Sequence, residues 1–376
     1  MKEGWEYKKL SDLFDITSSK RVFQSDWKSF GVPFYRAREI VQLSKNGYVD
    51  NELFITEELY TEYIKKYGKP QIGDIMVTGV GTLGICYLVK PNDKFYFKDG
   101  NIIWMKKKTN NLSEYIEYAF KSFFVKNQVN NSSGATVGTY TIIRANQTIV
   151  PIPQSIDTQK YIVEELDLLS SIIEKKKAQL KELDNLAQSL FYEMFGDPIT
   201  NEKGWKVKKL KDCCKNYDSQ RKPITAKDRI KGSIPYYGAS GVVDYVRDFI
   251  FDGDFLLVSE DGANLVLRST PIAFCIKGKT WVNNHAHVLK FDTLFQQKYI
   301  EFSINLRDIS MMVTGCAQPK LTQAALNNMI ILYPPLSLQQ QFASKIEAIE
   351  HQKELIKQSI KEVETLFNSR MDYYFN

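Results

Sequence analysis

Two histidines lie two residues apart in the segment Asn283-Asn284-His285-Ala286-His287. Alternate residues of a strand point to the same face, so this pair could supply half of a metal site. The chain has one further histidine, His351, and residues 100–104, which the repeat described below aligns with this segment, contain none. We therefore predict no metal site, and we interpret the cluster as a strand end whose polar side chains contact a partner.

Residues 79–84, Gly-Val-Gly-Thr-Leu-Gly, match the GxGxxG spacing of dinucleotide-binding loops and follow an apolar run. That motif requires a helix after the loop, whereas residues 85–89 have the pattern of another strand. The sequence favours a hairpin turn that presents its backbone and Thr82 to a partner. The chain also lacks a GxxxxGK[ST] string.

We expect no catalytic residue in the chain. Acidic residues are dense at Asp252, Asp254, Glu260 and Asp261, but the aligned part of the first half lacks most of them. The five cysteines are odd in number and form no CxxC pair, which argues against both a disulfide framework and a zinc site. We interpret them as reduced thiols.

Short strings recur in the same order in the two halves of the chain. Gly4-Trp5 and Lys8-Lys9-Leu10 return as Gly204-Trp205 and Lys208-Lys209-Leu210. Val32-Pro33-Phe34-Tyr35 returns as Ile234-Pro235-Tyr236-Tyr237, and Gly73-Asp74-Ile75 returns as Gly253-Asp254-Phe255. The order of these strings is kept over an offset of about 180–200 residues, which indicates an internal duplication.

Each copy begins with short apolar runs bounded by Gly, Asn, Asp and Pro, a pattern typical of β-strands. The 376 residues suffice for two to three domains. We predict an α+β fold in which two tandem, mostly-β domains alternate with two long helices. The expected ranges are 1–154 and 201–336 for the domains, and 155–200 and 337–376 for the helices. Inside the first domain, residues 111–126 are predicted to form a helix.

The end of each copy has heptads with apolar a and d positions, which favour a coiled-coil seam. Lys176, Lys353 and Arg370 are the polar exceptions. The alternative, in which each helix packs separately on its own domain, would leave a long apolar stripe exposed. The predicted seam consists of Ile162, Leu166, Leu169, Ile173, Leu180, Leu183 and Leu190 in the first helix, and of Phe342, Ile346, Ile349, Ile356, Ile360, Val363 and Phe367 in the second.

The formal net charge is +6, and the positive excess lies in the two domains. Lys and Arg exceed Asp and Glu by 5 in residues 1–154 (21 against 16) and by 6 in residues 201–336 (19 against 13). Both helices carry a negative balance. A positive excess shared equally by two repeated domains suits a protein that binds nucleic acid at two places. Solvated lysine faces of an ordinary basic protein are the alternative.

Polar and basic loops at matched places in the two copies are the candidate DNA-binding residues, because their side chains can pair with base edges and phosphates. The surrounding framework repeats while these loops differ, as expected of one scaffold that reads two sequences. Ordinary turns that diverged after duplication are the alternative. The candidates are Ser19, Lys20, Arg21, Arg36, Arg38, Thr78, Thr82, Asn101, Ser132, Ser133 and Thr136 in the first copy, and Gln220, Arg221, Lys222, Tyr237, Ser240, Ser259, Asn264, Asn284, His285, Gln318 and Lys320 in the second.

The chain resembles the specificity subunit of type I restriction-modification systems over essentially its whole length. The resemblance rests on the early Trp followed by Lys-Lys-Leu, on Ile-Pro-Tyr-Tyr-Gly-Ala-Ser-Gly at 234–241, on Gly-Asp before an apolar strand at 73–77 and 253–258, and on proline followed by glutamine before each long helix. It implies a non-catalytic protein whose two helices pair antiparallel as a spacer in a pseudo-twofold repeat. Each target-recognition domain would read one half of a bipartite site in the major groove of double-stranded DNA.

The resemblance also implies partner subunits. Two type I methyltransferase subunits would dock on the helices, and restriction/translocase subunits would join through them. S-adenosylmethionine, ATP and Mg²⁺ would then belong to these partners rather than to this chain. Arg36-Ala37-Arg38 stands where the second copy has Gly238-Ala239-Ser240, so the contacts of this first-copy loop do not transfer from the resemblance.

Two other function classes stay open. A self-contained type II-like DNA methyltransferase or nuclease fragment would need a nucleotide fingerprint or a carboxylate cluster in at least one copy. A DNA-independent interaction scaffold would show no affinity for random duplexes. Residues 1–5 lack an apolar stretch and no window approaches 18 apolar residues, so we expect a cytoplasmic protein without signal peptide or membrane span.

Overall fold

The computed structural model describes residues 3–131, 138–315 and 317–376. The chain forms two compact units: unit 1 contains residues 1–175 and 359–376, and unit 2 contains residues 176–358. Each unit therefore combines one sheet-containing region with a part of each long helix. Among the described helices, none is both long and apolar enough to cross a membrane.

The first copy contains nine strands and six short helices before its long helix, within the described ranges. The strands are β1 (Trp5–Lys9), β2 (Phe14–Thr17), β3 (Val32–Tyr35), β4 (Phe54–Ile55), β5 (Ile75–Thr78), β6 (Cys86–Leu88), β7 (Tyr96–Phe97), β8 (Ile102–Lys107) and β9 (Ile149–Pro153). The helices are α1 (Leu10–Leu13), α2 (Ala37–Asn46), α3 (Glu57–Tyr67), α4 (Ser113–Lys121), α5 (Phe123–Asn130), α6 (Ile142–Gln147) and the long α7 (Ile156–Phe195).

The second copy follows with ten strands in its described part. The strands are β10 (Val207–Lys209), β11 (Lys215–Asn216), β12 (Lys231–Gly238), β13 (Gly241–Val246), β14 (Phe251–Asp252), β15 (Phe255–Ser259), β16 (Ala273–Ile276), β17 (Lys279–Val282), β18 (Ala286–Lys290) and β19 (Ile330–Leu332). The helices are α8 (Asn264–Leu267), α9 (Leu294–Leu306), α10 (Gln323–Asn328) and the long α11 (Leu336–Phe375).

Three corresponding sheets occur in each copy. An antiparallel four-stranded sheet has the order β2-β8-β5-β6 in the first copy and β11-β18-β15-β16 in the second. A second sheet, β4-β3-β7 in the first copy and β13-β12-β17-β14 in the second, contains one parallel pair in each copy, β3 with β7 and β12 with β17. A two-stranded sheet pairs the first strand of each copy with the last, β1 with β9 and β10 with β19. The predicted duplication and α+β fold are confirmed.

The central strands of the four-stranded sheets are buried on both faces, which explains their uninterrupted apolar sequences. All residues of β5 and β15 are buried, as are the first four residues of β8. The helix predicted over 111–126 is instead two helices that meet at Ser122. The Ser122 hydroxyl accepts a hydrogen bond from the Val125 amide and so begins α5, which leaves Phe123 exposed.

The two long helices contact each other within each unit. In unit 2, Asp184 of α7 pairs with Lys353 of α11, and the Phe191 ring lies 5.6 Å from that of Phe342, so the helices run antiparallel there. In unit 1, the Arg370 Nε lies 2.8 Å from a carboxylate oxygen of Glu165. All fourteen seam residues named above are buried or half-buried.

Candidate nucleic-acid interface

Several predicted binding loops of unit 1 meet at one end of the four-stranded sheet. The Ser18 hydroxyl, just after β2, donates to the Ile102 carbonyl at 2.8 Å. The Gly79 amide, just after β5, donates to the Asn101 carbonyl at 2.9 Å, and the Tyr140 amide donates to the Gly79 carbonyl at 2.9 Å. These bonds gather distant segments into one surface. We call it loop surface 1, and it consists of residues 18–21, 79–84, 98–101 and 138–140.

Unit 2 has the same arrangement. The Glu260 amide, just after β15, donates to the His285 carbonyl at 2.9 Å, and the Leu321 amide donates to the Glu260 carbonyl at 2.7 Å. The Tyr217 amide, just after β11, donates to the Val288 carbonyl at 2.8 Å. We call this end of the sheet loop surface 2, and it consists of residues 217–222, 237–241, 259–262, 283–286 and 317–321.

Two predicted cations of unit 1 are exposed on loop surface 1. Arg21 is 69% exposed, with its Nε 3.3 Å from the Asp99 carboxylate. The Lys20 ammonium lies 5.3 Å from the centre of the Tyr67 ring. Exposed pairs of this kind contribute little stability, so either cation can exchange its contact for a phosphate or a base. The neighbouring Ser19 holds the loop, because its hydroxyl donates to the Phe97 carbonyl at 2.6 Å.

Arg36 is engaged inside unit 1. Its guanidinium lies 2.7 Å from the buried Glu39 carboxylate, which Arg38 also contacts. Burial raises the pKa of the Glu39 carboxyl, but the bonds from Arg36 and Arg38 outweigh burial, and the pKa lies below its usual range. The Arg36 guanidinium thus neutralises a buried acid, and its contact with DNA stays a prediction. Arg38 is exposed and also pairs with Glu52.

The predicted contacts of Thr78 and Ser259 are wrong, because both side chains are fully buried at the ends of β5 and β15. The Thr78 hydroxyl accepts a hydrogen bond from the Ile85 amide and donates to the Thr82 carbonyl. The Ser259 hydroxyl donates to the Ala239 carbonyl. Each hydroxyl therefore holds a neighbouring turn in place.

The other candidates of unit 1 fall into two groups. Thr82 is exposed and Asn101 is half-buried, and both belong to loop surface 1. Ser132, Ser133 and Thr136 lie outside the described residues.

The glycines of residues 79–84 serve a hairpin turn between β5 and β6, as the sequence predicts. Gly81 and Gly84 have φ values of +69° and +72°, which side chains with a Cβ rarely adopt. A Cβ on Gly79 would lie 2.8 Å from the Tyr140 carbonyl oxygen. The GxGxxG spacing thus follows from the geometry of the turn.

Loop surface 2 presents seven exposed candidates and two half-buried ones, Tyr237 and Arg221. The His285 Nδ1 lies 2.9 Å from the Asp261 carboxylate, so this histidine is oriented at the surface. The exposed candidates of loop surface 2 are Gln220, Lys222, Ser240, Asn284, His285, Gln318 and Lys320.

Asn264 lies beyond loop surface 2 and stabilises its own loop. Its Nδ2 donates to the Thr270 carbonyl at 3.0 Å, and its Oδ1 accepts from the Thr270 amide at 3.1 Å and from the Ser269 hydroxyl at 2.9 Å. These bonds engage both polar atoms of the side chain, and its contact with DNA stays a prediction.

Arg221 is held inside unit 2, with only 12% of its side chain exposed, and its contact with DNA stays a prediction. Its Nη1 donates to a carboxylate oxygen of Glu260 at 2.6 Å and to the Ala286 carbonyl at 2.9 Å. The Lys320 ammonium lies 3.1 Å from the other Glu260 carboxylate oxygen. Arg221 therefore stabilises loop surface 2 from the interior of unit 2, through its bonds to Glu260 and the Ala286 carbonyl.

His287, which sequence reasoning did not select, is 0% exposed beneath loop surface 2. Its Nδ1 lies 2.6 Å from Asp218 Oδ2, and its Nε2 donates to the Leu321 carbonyl at 2.8 Å. The Glu260 carboxylate lies 3.7 Å from the Nδ1. The alternation of His285 and His287 was visible in the sequence. The acids that contact His287 come from distant segments, so no local pattern identified them.

Both ring nitrogens of His287 are engaged in hydrogen bonds. Burial raises the pKa of the Asp218 carboxyl, but its bond to His287 and the Val288 amide outweigh burial and hold the pKa below its usual range. The Leu321 carbonyl can only accept, so the Nε2 of His287 donates to it, while the Nδ1 shares a hydrogen bond with Asp218. We call Asp218, Arg221, Glu260, His287 and the exposed Lys320 the ion network.

Asp218, Glu260 and His287 also have the geometry of a possible metal site, since three of their ligand atoms lie within 4.8 Å of one another. The Glu260 carboxylate, however, already contacts Arg221 and Lys320, and burial, which raises its pKa, is outweighed by these cations and His287. The protein's own cations thus balance both acids. The donor set suits an internal ion network better than a metal ion.

A model of the family described as type I restriction modification DNA specificity domain matches residues 2–184 and 202–365. Together the two matches cover most of both copies. The chain belongs to this specificity family.

Two relatives illustrate the range of similarity within the specificity family. A putative type I restriction enzyme specificity subunit of Haemophilus influenzae is 32% identical over 149 residues, which are 40% of this chain and 38% of that protein. The MjaIX specificity subunit of Methanocaldococcus jannaschii is 23% identical over 392 residues, which cover 92% of this chain and 87% of that protein.

Two solved structures have the same fold. The type I restriction-modification S subunit from M. genitalium superposes with a TM-score of 0.57 at 15% identity, over 99% of this chain and 96% of that chain. A chain from a study of complex assembly and conformational transition of the type I R-M system gives 0.61 at 17% identity, over 99% and 97%. The resemblance inferred from the sequence is confirmed at the level of family and fold.

Proposed function

We propose that the chain is a non-catalytic targeting subunit that reads a bipartite DNA site, one half with each loop surface. The observation that carries this proposal is the repeated sheet end. Gly79, Asn101 and Tyr140 are joined by the same backbone bonds as Glu260, His285 and Leu321, while the side chains around them differ. A constant framework with different polar side chains suits two readers of different sequences.

The charges of the exposed loops support this proposal. Loop surface 1 presents Lys20 and Arg21, and loop surface 2 presents Lys222 and Lys320. Cations at a polar sheet end supply the attraction to phosphate that sequence-independent DNA affinity requires. Exposed amides, such as those of Asn284 and Gln318, add donors and acceptors that can distinguish base edges.

We further propose that the long helices dock methyltransferase subunits, one in each unit, and that restriction/translocase subunits join through them. Large apolar side chains lie exposed on the helices outside the predicted seam, which favours a protein partner there. They are Tyr161, Leu168, Leu366 and Tyr373 in unit 1, and Leu186, Tyr192 and Leu355 in unit 2. S-adenosylmethionine, ATP and Mg²⁺ would bind to these partners.

A selection experiment tests the proposal. The chain is purified in complex with a type I methyltransferase subunit that binds it, and the complex selects duplexes from a random pool at fixed salt. We expect a consensus of two short half-sites separated by a spacer of fixed length. Selection of a single continuous site, or retention of all duplexes alike, would contradict it.

The non-catalytic role has its own test. The purified chain, incubated with DNA, S-adenosylmethionine, ATP and Mg²⁺, should neither methylate nor cut. Methyl transfer by the chain alone, above the level of a mock purification, would favour a self-contained methyltransferase instead.

A further inference from the structure

His287 connects three segments that carry candidate DNA-binding residues, although it is itself inaccessible. Through Asp218 it holds the turn that leads to Lys222, and through the Leu321 carbonyl it holds the segment that carries Lys320. Because it belongs to β18, it also ties both segments to the end of the four-stranded sheet.

The charged and titratable groups around the His287 imidazole are Asp218, Glu260, Arg221, Lys320 and Cys214. Asp218 also accepts a hydrogen bond from the backbone amide of Val288 at 2.8 Å and one from the side-chain amide of Gln323 at 3.1 Å. The Cys214 thiol lies close enough for Asp218 to raise its pKa, after the larger effect of burial. The further charges are those of Glu260, Arg221 and Lys320, which are paired with one another.

Unit 1 has no charge at the equivalent positions. Ile102 pairs with the last residue of β5 in the same register in which Ala286 pairs with the last residue of β15. The residue after Ile102 is Ile103, which is buried in an apolar core and is the counterpart of His287. The counterparts of Asp218 and Glu260 are Ser18 and Gly79 by the same sheet positions.

We propose that His287 is a positioning residue for the second recognition domain, which sets the placement of residues 218–222 and 320–321 and thereby the selectivity for the second half-site alone. This inference rests on the proposed function, because it assumes that loop surface 2 reads DNA. His287 touches no DNA and acts through Asp218 and the Leu321 carbonyl.

The experiment compares half-site selectivities of the complex with its methyltransferase. Each half-site has a selectivity ratio, which is the affinity for a duplex with both selected half-sites divided by the affinity for a duplex in which that half-site is scrambled. Both affinities are measured at fixed salt and pH. For His287→Leu we expect the ratio for the second half-site to fall about ten-fold or more, and the ratio for the first to stay within about two-fold. His351→Gln, an exposed histidine of α11, is the matched control and should change neither ratio.

A conservative variant keeps the inference testable if His287→Leu does not fold. In Asp218→Asn, the side-chain amide can donate to Nδ1 of His287, while Nε2 still donates to the Leu321 carbonyl, although the bond from the Gln323 side chain to Oδ2 is lost. The bridge through His287 then persists, so we expect the second ratio to stay within about three-fold of the wild type. A ten-fold loss in Asp218→Asn would overturn the inference.

Nitrogen-15 NMR of labelled histidine supplies an independent readout, because the chain has only three histidines. The His287 signal, assigned by its absence in His287→Leu or, if that variant does not fold, by elimination with His285→Gln and His351→Gln, should show a protonated Nε2 in both the wild type and Asp218→Asn, because this nitrogen donates to the Leu321 carbonyl. Retained selectivity for the second half-site in folded His287→Leu overturns the inference. Failure of the wild-type complex to prefer either half-site would instead overturn the proposed function.

Discussion

The two recognition domains share one backbone design but hold it together with different chemistry. At the sheet end of the first copy, Ser18, Gly79 and Ile103 are small, neutral or apolar, and the bonds there run between backbone groups and one hydroxyl. At the same positions of the second copy, Asp218, Glu260 and His287 belong to the ion network. Because the first copy forms the same sheet without these charges, the sheet does not require them. We infer that the charges of the second copy hold the loops above its sheet.

The largest expected effect concerns the residue pair His287 and Ile103. His287→Leu leaves the buried Asp218 carboxylate without its imidazole partner, which should lower the free energy of unfolding of unit 2 by about 3–5 kcal/mol. Ile103→Leu, a volume-conserving change in the first copy, should cost less than about 1.5 kcal/mol. The unfolding free energy of each unit is measured by hydrogen exchange during a urea titration, with the exchange followed separately in unit 1 and unit 2. Equal losses for the two variants would contradict the contrast between the copies.

A second prediction separates the two neighbouring cations of loop surface 2. Lys222→Ala removes an exposed cation, so stability should change by less than about 0.5 kcal/mol, while a lost base contact would weaken DNA binding by about 1–3 kcal/mol. Arg221→Ala should lower stability as well, because it removes a buried partner of Glu260. Thermal unfolding and duplex titration of both variants distinguish these roles. A stability loss confined to Lys222→Ala would reverse the assignment.

A third prediction concerns the stability of loop surface 2 at acidic pH. Asp218 and Glu260 have pKa values below their usual range in the folded protein, because His287 and the nearby cations favour the ionised forms over the effect of burial. Their contribution to stability is therefore fully present above the unfolded pKa values of about 3.9 and 4.3, and is lost as the pH falls through the lower folded values.

Loop surface 1 has no such pair at its sheet end, so below about pH 4 we expect residues 217–222 to lose hydrogen-exchange protection before residues 18–21 do. Exchange measured by mass spectrometry from pH 6 downward, corrected for intrinsic rates, tests the order. Simultaneous loss in both loops would mean that the acids do not hold loop surface 2.

The smallest expected effect lies on the long helices, where the two units are alike. Lys353 pairs with Asp184 in unit 2, as Arg370 pairs with Glu165 in unit 1. These pairs are partly exposed, so Lys353→Met should change the unfolding free energy of unit 2 by no more than about 1 kcal/mol. Chemical denaturation at low and high salt tests this, and a loss several times larger would show that the pair is essential to the helix contact.

The sequence predicted the architecture because its signals are periodic or repeated. The duplicated strings located both copies, and the heptads located both long helices, which the structure places at Ile156–Phe195 and Leu336–Phe375. The break at Ser122 escaped notice, since a serine that caps a helix resembles one within a helix until its hydroxyl bond is known.

The candidate interface was predicted at the level of loops but not of side chains. Polar residue types indicated which segments could bind DNA, yet burial decided between surface and support. Thr78, Ser259 and Arg221 point inward, and no local pattern showed this for Ser259 and Arg221, because their partners Ala239 and Glu260 lie far away in the sequence. His287 was missed for the same reason, since Asp218 is 69 residues away.

The backbone bonds that join Gly79 to Asn101 and Glu260 to His285 have a consequence for the history of such loops. Every residue offers the same carbonyl acceptor, so these bonds survive almost any substitution at the accepting residues, Asn101 and His285. Loop side chains at such positions can therefore vary without dismantling the sheet beneath them, and a new preference for DNA can arise by single replacements in an intact fold. The second copy is less free in this respect, because Asp218, Glu260 and His287 can be replaced safely only together. We therefore expect its loops to tolerate fewer single replacements than those of the first copy.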